Sequence, residues 1–256
     1  MMSFQDESRN SFQNSSLYMI VLAGYLLLAF VPVLLLDDDT IVKLTMEDSY
    51  YESVGALYWL VASVLFFVLF VKRRDSNKIF FMRTDRNIFF FLLGCLFFLG
   101  FGEEISWGQR IIGFQTPELL SKFNAQNEVN IHNLQIFHGK DAEKNPKGFI
   151  ALMTNIDRLF SVFWFTYCLL VPVVYRISSK AAALITRVAL PVVPIWIGVF
   201  FMLNYLISKV FEWTLRSVVE IKEHNFAFLF VILGVWFLVN YKGNLESGNS
   251  ERIADA

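Results

Sequence analysis

Six apolar runs, near residues 17–36, 54–71, 88–104, 159–175, 189–207 and 224–239, limit what this chain can become more than anything else in it. A bilayer core about 30 Å thick needs about 20 mostly apolar residues at about 1.5 Å of rise each. The expected fold is an all-α, polytopic membrane helix bundle with about six transmembrane helices. One bundle domain, 17–240, lies between tails 1–16 and 241–256, and a helical or irregular extracytoplasmic segment over 103–157 joins the third and fourth spans. Composition agrees: 55% of residues are hydrophobic and 18% charged, against about 45–50% and about 25% in soluble domains. The polar start, Met1–Ser16, has no basic stretch and no small-residue cleavage site, so the first run reads as a retained helix.

Charge placement orients the bundle. The segments on the N-terminal side of the membrane (1–16, 72–87, 176–188 and 240–256) hold twelve Lys and Arg against seven Asp and Glu. The other side holds ten against sixteen, together with His132, His138 and His224. Basic short loops stay in the cytoplasm, which places both termini inside, in a bacterial inner (cytoplasmic) membrane. Aromatic residues lie within apolar runs rather than among Lys and Arg, so nucleic acid is not an expected partner; the lipid bilayer is. Cys95 and Cys168 fall inside spans and read as small core residues. Pro32, Pro172, Pro191 and Pro194 also fall inside spans, where kinks are expected.

Two spans are short. The third offers fifteen apolar residues, Ile88–Gly102, before Glu103 and Glu104; the sixth is preceded by Glu220, Glu223, His224 and Asn225. Carboxylates below the membrane surface are costly unless paired or hydrated, and they usually face the bundle interior. Two short spans failing on one face at Glu-rich ends point to a shared polar site.

Four stretches supply its candidates. In Gly102-Glu103-Glu104-Ile105-Ser106-Trp107-Gly108-Gln109-Arg110, adjacent glutamates project about 100° apart, so one faces inward while the other meets Arg110 or solvent. Glu103, Glu104 and Arg110 are the candidate catalytic residues, and Trp107 suits the interfacial belt. In the run Asn124 to Asn133, the residues Asn124, Gln126, Glu128, Asn130 and His132 alternate, and Glu128 and His132 share a surface in either an extended or a helical segment. Thr116-Pro117-Glu118 ahead of it reads as the start of a short interfacial helix with Leu119, Leu120 and Phe123 inward. Glu220-x-x-Glu223-His224 repeats the Glu/His spacing of four. Glu104, Glu128, His132, Glu220 and His224 together would make a ligand set for a divalent metal ion, the cofactor this reading expects. Trp107, Gln109, Asn124, Gln126 and Asn130, with Glu47 and Glu52 at the approach to the second span, would meet the substrate. Asp37-Asp38-Asp39 reads as a solvated stop to the first helix.

Over roughly residues 45–135, Glu47-Asp48, the Gly102-to-Arg110 block and the Asn124-to-Asn133 run resemble a family of bacterial multi-pass membrane proteins with no activity assigned. The resemblance implies membrane residence and a shared extracytoplasmic site, and no chemistry. The intramembrane CAAX-type proteases carry an Arg four residues after their Glu-Glu pair. Here Arg110 follows Glu104 by six, and that pattern is not met.

Three functions follow as expectations. The first is a metal-dependent enzyme acting on a lipid or lipid-linked envelope substrate at the outer leaflet. The second is a non-catalytic membrane partner or envelope sensor. The third is a cation- or proton-coupled transporter, against which no span carries an acidic residue near its middle.

Overall fold

The structure, a computed structural model, describes residues 4–46, 49–73, 86–124, 128–131, 134, 137, 155–212 and 218–241. Its helices in chain order are α1 (Phe4–Leu35), α2 (Asp38–Leu44), α3 (Tyr50–Lys72), α4 (Ile88–Glu104), α5 (Gln109–Ile112) and α6 (Glu118–Ser121). They continue with α7 (Ile156–Ile177), α8 (Ser179–Arg187), α9 (Ile195–Phe211) and α10 (Val218–Asn240). No strand forms among the described residues, where a single isolated bridge pairs Asn124 with Leu134.

Among the described residues, four helices are long and apolar enough to cross a membrane: Ser15–Leu35 within α1, and α3, α7 and α10. The helices α4 and α9 are each 17 residues long, about 25 Å at about 1.5 Å per residue. Leu27 and Leu28 of α1 are 68% and 72% exposed, and Leu34 and Leu35 of α1 and Leu92 of α4 also face out. Outward leucines in such number suit a lipid surround and would be a liability in water.

Polar residues set the helix ends. Asp37 caps α2, its carboxylate accepting from the Thr40 backbone N–H at 2.9 Å and from the Thr40 hydroxyl at 2.8 Å. The acidic triplet thus both stops α1 and starts the next helix. Asn87 caps α4 and Asn155 caps α7 in the same way. The fifth span differs from expectation. Pro191 and Pro194 do not kink it; α9 begins directly after Pro194, because proline disfavours a helical conformation in the residue before it and is tolerated at a helix start. Pro172 behaves differently again. Having no N–H, it cannot bond the Cys168 carbonyl four residues back, and Phe165–Leu170 form a π-helical turn. Gly198 of α9 seats against that carbonyl, where an added Cβ would overlap the oxygen.

The core is aromatic. The helix α3 packs between α4 and α10, and Phe66, Phe90, Phe97, Phe230 and Phe237 are fully buried there. Ring centroids stand 4.5 Å apart for Phe97 and Phe230 and 5.1 Å for Phe66 and Phe97. Ser63 Oγ donates to Gly94 O at 2.9 Å, tying α3 to α4 where the glycine admits Phe67. Trp164 of α7 and Phe201 of α9 extend the stack through Phe226.

One end of the bundle is stitched by Asn87, whose Nδ2 donates to Ala189 O at 2.7 Å and to Tyr241 Oη at 3.0 Å. Arg73 donates there to Leu238 O, and Arg86 to Phe70 O and Val71 O. This is the end that carries the basic loops. The other end gathers Glu52, Glu104, Asp157 and Glu220.

Candidate functional site

At that acidic end the helices enclose a cavity of about 660 Å³. Glu52 enters from α3, Glu103 and Glu104 from the last turn of α4, Asp157 from the first turn of α7, and Glu220, Lys222 and Glu223 from α10. Most of the remaining wall is apolar, with Trp59, Phe97, Leu159, Phe160, Phe163 and Phe226 among its residues. Carboxylates and greasy side chains therefore line the same space.

Glu104 lines this space together with Trp59, Glu52, Glu220 and Glu223. The spacing of three between Glu220 and Glu223 sets both on one face of α10, and both line the cavity. Glu103, the neighbour of Glu104 in sequence, also borders the cavity and is engaged by the turn and loop beyond α4. Its Oε1 accepts from Trp107 Nε1 at 2.7 Å and its Oε2 from the Ile131 backbone N–H at 2.6 Å. The indole and the loop backbone are thus partners of Glu103.

The Gly102-to-Gln109 block forms a clamp. After α4 ends, Ser106 and Trp107 take positive φ values of 47° and 52°, and Gly108 follows at 83°. This left-handed run folds the chain back so that the indole lies flat on Gly102, where a Cβ would stand 2.9 Å from three ring atoms. Left-handed backbone costs a non-glycine residue about 1–2 kcal/mol, offset here by bonds on both sides of the turn. Ser106 Oγ donates to Glu128 Oε2 at 2.8 Å, and Asn130 Nδ2 donates to the same oxygen at 2.7 Å. Asn124 Nδ2 donates to Asn130 Oδ1 at 2.9 Å, and Asn124 Oδ1 accepts from Glu128 N at 3.2 Å. Gln109 bridges Thr116 Oγ1 and Val129 N, each at 2.7 Å.

Gln109, Asn124, Glu128 and Asn130 therefore converge as the alternating pattern suggests, but on one another. Their bonds pin the loop after α4, and Ile131 from that loop lines the cavity. Thr116 serves Gln109 rather than capping a helix; α6 is one turn long, with Pro117 at its cap and Phe123 beyond it 57% exposed. Glu47, Gln126, His132 and the side chain of Arg110 lie outside the described residues.

His224 is placed differently from the metal-ligand expectation. Its ring is buried among Tyr25, Tyr50, Tyr51 and Tyr58. Nδ1 lies 3.0 Å from Tyr51 O, which can only accept, so Nδ1 carries the proton. Nε2 then accepts from the Tyr25 hydroxyl at 2.6 Å. Both nitrogens are engaged in helix-to-helix bonds, which leaves no lone pair for a metal. Of the expected ligand set, Glu104 and Glu220 share the cavity, Glu128 is held in the clamp and His224 in the tyrosine cluster. Among the described residues, no three His, Cys, Asp or Glu side chains come together as a metal site would require.

Sequence reasoning passed over Trp59, Asp157 and Lys222. Trp59 carried no signal because it lies inside an apolar run; Asp157 stands just before one, in a stretch read only as loop.

No protein-family model, no curated protein and no solved structure matches this chain.

Proposed function

We propose that this chain is a six-span membrane protein, with α4 and α9 as its short spans, that binds a lipid or lipid-linked substrate in the acidic cavity. The carrying observation is that Glu52, Glu104, Glu220 and Glu223, from three helices, line one cavity together with many aromatic and aliphatic side chains. A cavity of this size with a few convergent polar groups has the form of a small-molecule site. Its split character fits an amphiphile, with acyl or prenyl carbons along Phe160, Phe163 and Leu159 and the headgroup against the carboxylates. Glu104, which lines the cavity beside these carboxylates, is the group placed to exchange a proton with that headgroup as a general acid or base. Glu52, Glu220 and Glu223 set the field around it.

The basic loops at the opposite end support an orientation with both termini cytoplasmic and the cavity at the outer leaflet of a bacterial inner membrane. The short α4 and α9 support a polar recess there rather than a continuous apolar slab.

The test is the lipid that travels with the protein. Extracts of the purified chain, of Leu159→Trp, which fills the cavity, and of Glu104→Gln are compared by liquid chromatography and mass spectrometry. The unmodified chain should retain one species enriched over the bulk membrane. Leu159→Trp should lose it, and Glu104→Gln should hold it unconverted. A lipid profile equal to the bulk in the unmodified chain would sink the proposal.

A further inference from the structure

Far from the cavity, α8 (Ser179–Arg187) has no buried residue. At about 100° per residue, Ser179, Lys180, Thr186 and Arg187 fall on one side of it, and Ala181, Leu184 and Ile185 on the other. Lys180 and Arg187, seven residues apart, stand side by side at the border of the apolar face, and both are exposed. Leu184, next to them, is 61% exposed. Arg176, at the end of α7, adds a third exposed cation. Between 176 and 188 there is no acidic residue.

The position of α8 is fixed from both sides. Ser178, at the junction with α7, caps it by accepting from the Ala181 backbone N–H at 3.3 Å. Just past its end, Ala189 takes a left-handed φ of 54° and gives its carbonyl to Asn87. The helix therefore sits at the end of the bundle that carries Arg73 and Arg86. An amphipathic helix with long cationic stems flanking its apolar face is the form that lies in a lipid–water interface.

We propose that α8 lies flat in the membrane surface and is a docking site for anionic phospholipid headgroups. Lys180, Arg187 and Arg176 meet the phosphates while Leu184 and Ile185 enter the upper acyl region. Charge complementarity selects this occupant. A zwitterionic headgroup brings no net charge to three cations lacking a local counter-ion in sequence, whereas an anionic one does. The inference stands apart from the cavity and from whatever the cavity binds.

The full chain, purified in detergent, is titrated with phosphatidylglycerol or with phosphatidylcholine of the same acyl chains, and bound lipids are counted by native mass spectrometry. Phosphatidylglycerol should bind more tightly. A surface cation changes such binding about fivefold, so the Lys180→Gln/Arg187→Gln double variant should weaken it about 30-fold and leave phosphatidylcholine unchanged. Lys180→Arg/Arg187→Lys should keep the preference, and added salt should erase it. Equal binding of the two lipids by the unmodified chain overturns the proposal, as does an unchanged preference in the double Gln variant. If Leu184→Glu dissociates an oligomer while the lipid preference persists, α8 belongs to a contact between copies and the proposal fails.

Discussion

Gly198→Ala is the most informative single substitution for the packing of this bundle. Its Cβ would overlap the Cys168 carbonyl oxygen and stand 3.0 Å from the carbonyl carbon. An ordinary C···O approach is about 3.3–3.6 Å, so α9 must retreat from α7 by something on the order of an ångström. Backbone atoms do not swing aside as a side chain does. The π-helical turn holds that carbonyl where Pro172 leaves it without its usual donor. Retreat would also loosen Phe201 from Trp164, now stacked at 6.1 Å. Overpacking a tight core costs about 1–3 kcal/mol, sometimes more, and a clash with backbone belongs at the upper end. At roughly 2–4 °C per kcal/mol for a chain this large, the melting temperature in detergent should fall by about 6–12 °C. Gly24→Ala supplies the control, because nothing lies within 4 Å of its added Cβ; helix propensity alone should leave it neutral or up to about 1 kcal/mol more stable. Equal melting temperatures for the two variants would refute the claim that α9 meets α7 through a glycine contact.

Four further outcomes are expected. Tyr25→Phe removes the donor to His224 Nε2 and should cost about 0.5–1.5 kcal/mol, measured as a drop in melting temperature that Tyr18→Phe does not share. Glu128→Ala strands the Ser106 and Asn130 donors; amide exchange at 128–131 should quicken while α3 and α10 stay protected. Gly102→Ala should push the indole off its seat and break the Trp107–Glu103 bond, visible as a red shift in tryptophan emission against the same change at Gly24. Asp37 is held below the ordinary aspartate range by the Thr40 N–H and hydroxyl. A carboxylate lowered in the folded state stabilises above its unfolded value and ceases to as pH falls through the folded one, so the first turn of α2 should fray only in acid, and Asp37→Asn should remove that pH dependence.

Four membrane-length helices were legible because a row of about 20 apolar residues is rare outside a membrane helix. Their ends were less so. The second and sixth runs begin at 54 and 224 by hydropathy, yet α3 starts at Tyr50 and α10 at Val218. Glu52, Glu220 and Glu223 interrupt the apolar run but not the helix, since they face a cavity instead of lipid. The gathering of Glu52, Glu104 and Glu220 at one end could be inferred from acids flanking short spans. The fate of His224 could not: a spacing of four says which residues share a side of a helix, not which neighbour waits there, and Tyr25 comes from 199 residues away. The Asn124-to-Asn130 run misled for a related reason. Alternating amides can bond a ligand or each other, and the choice rests on the left-handed turn at Ser106 and Trp107, which neither residue type announces.

The Tyr25–His224 bond joins the earliest apolar helix to the last. Inside a bilayer every neighbour is oily, so grease alone gives a helix little reason to prefer one rotation or depth. A phenol meeting an imidazole does, because only one rotation and one depth let them touch. Until α10 has been made and inserted, α1 has no such partner and can turn or slide against lipid. Completion of the bundle is thus registered at its oldest element, and a chain stopped before Val218 should hold α1 loosely while α3 and α4 are already joined through Ser63 and Gly94.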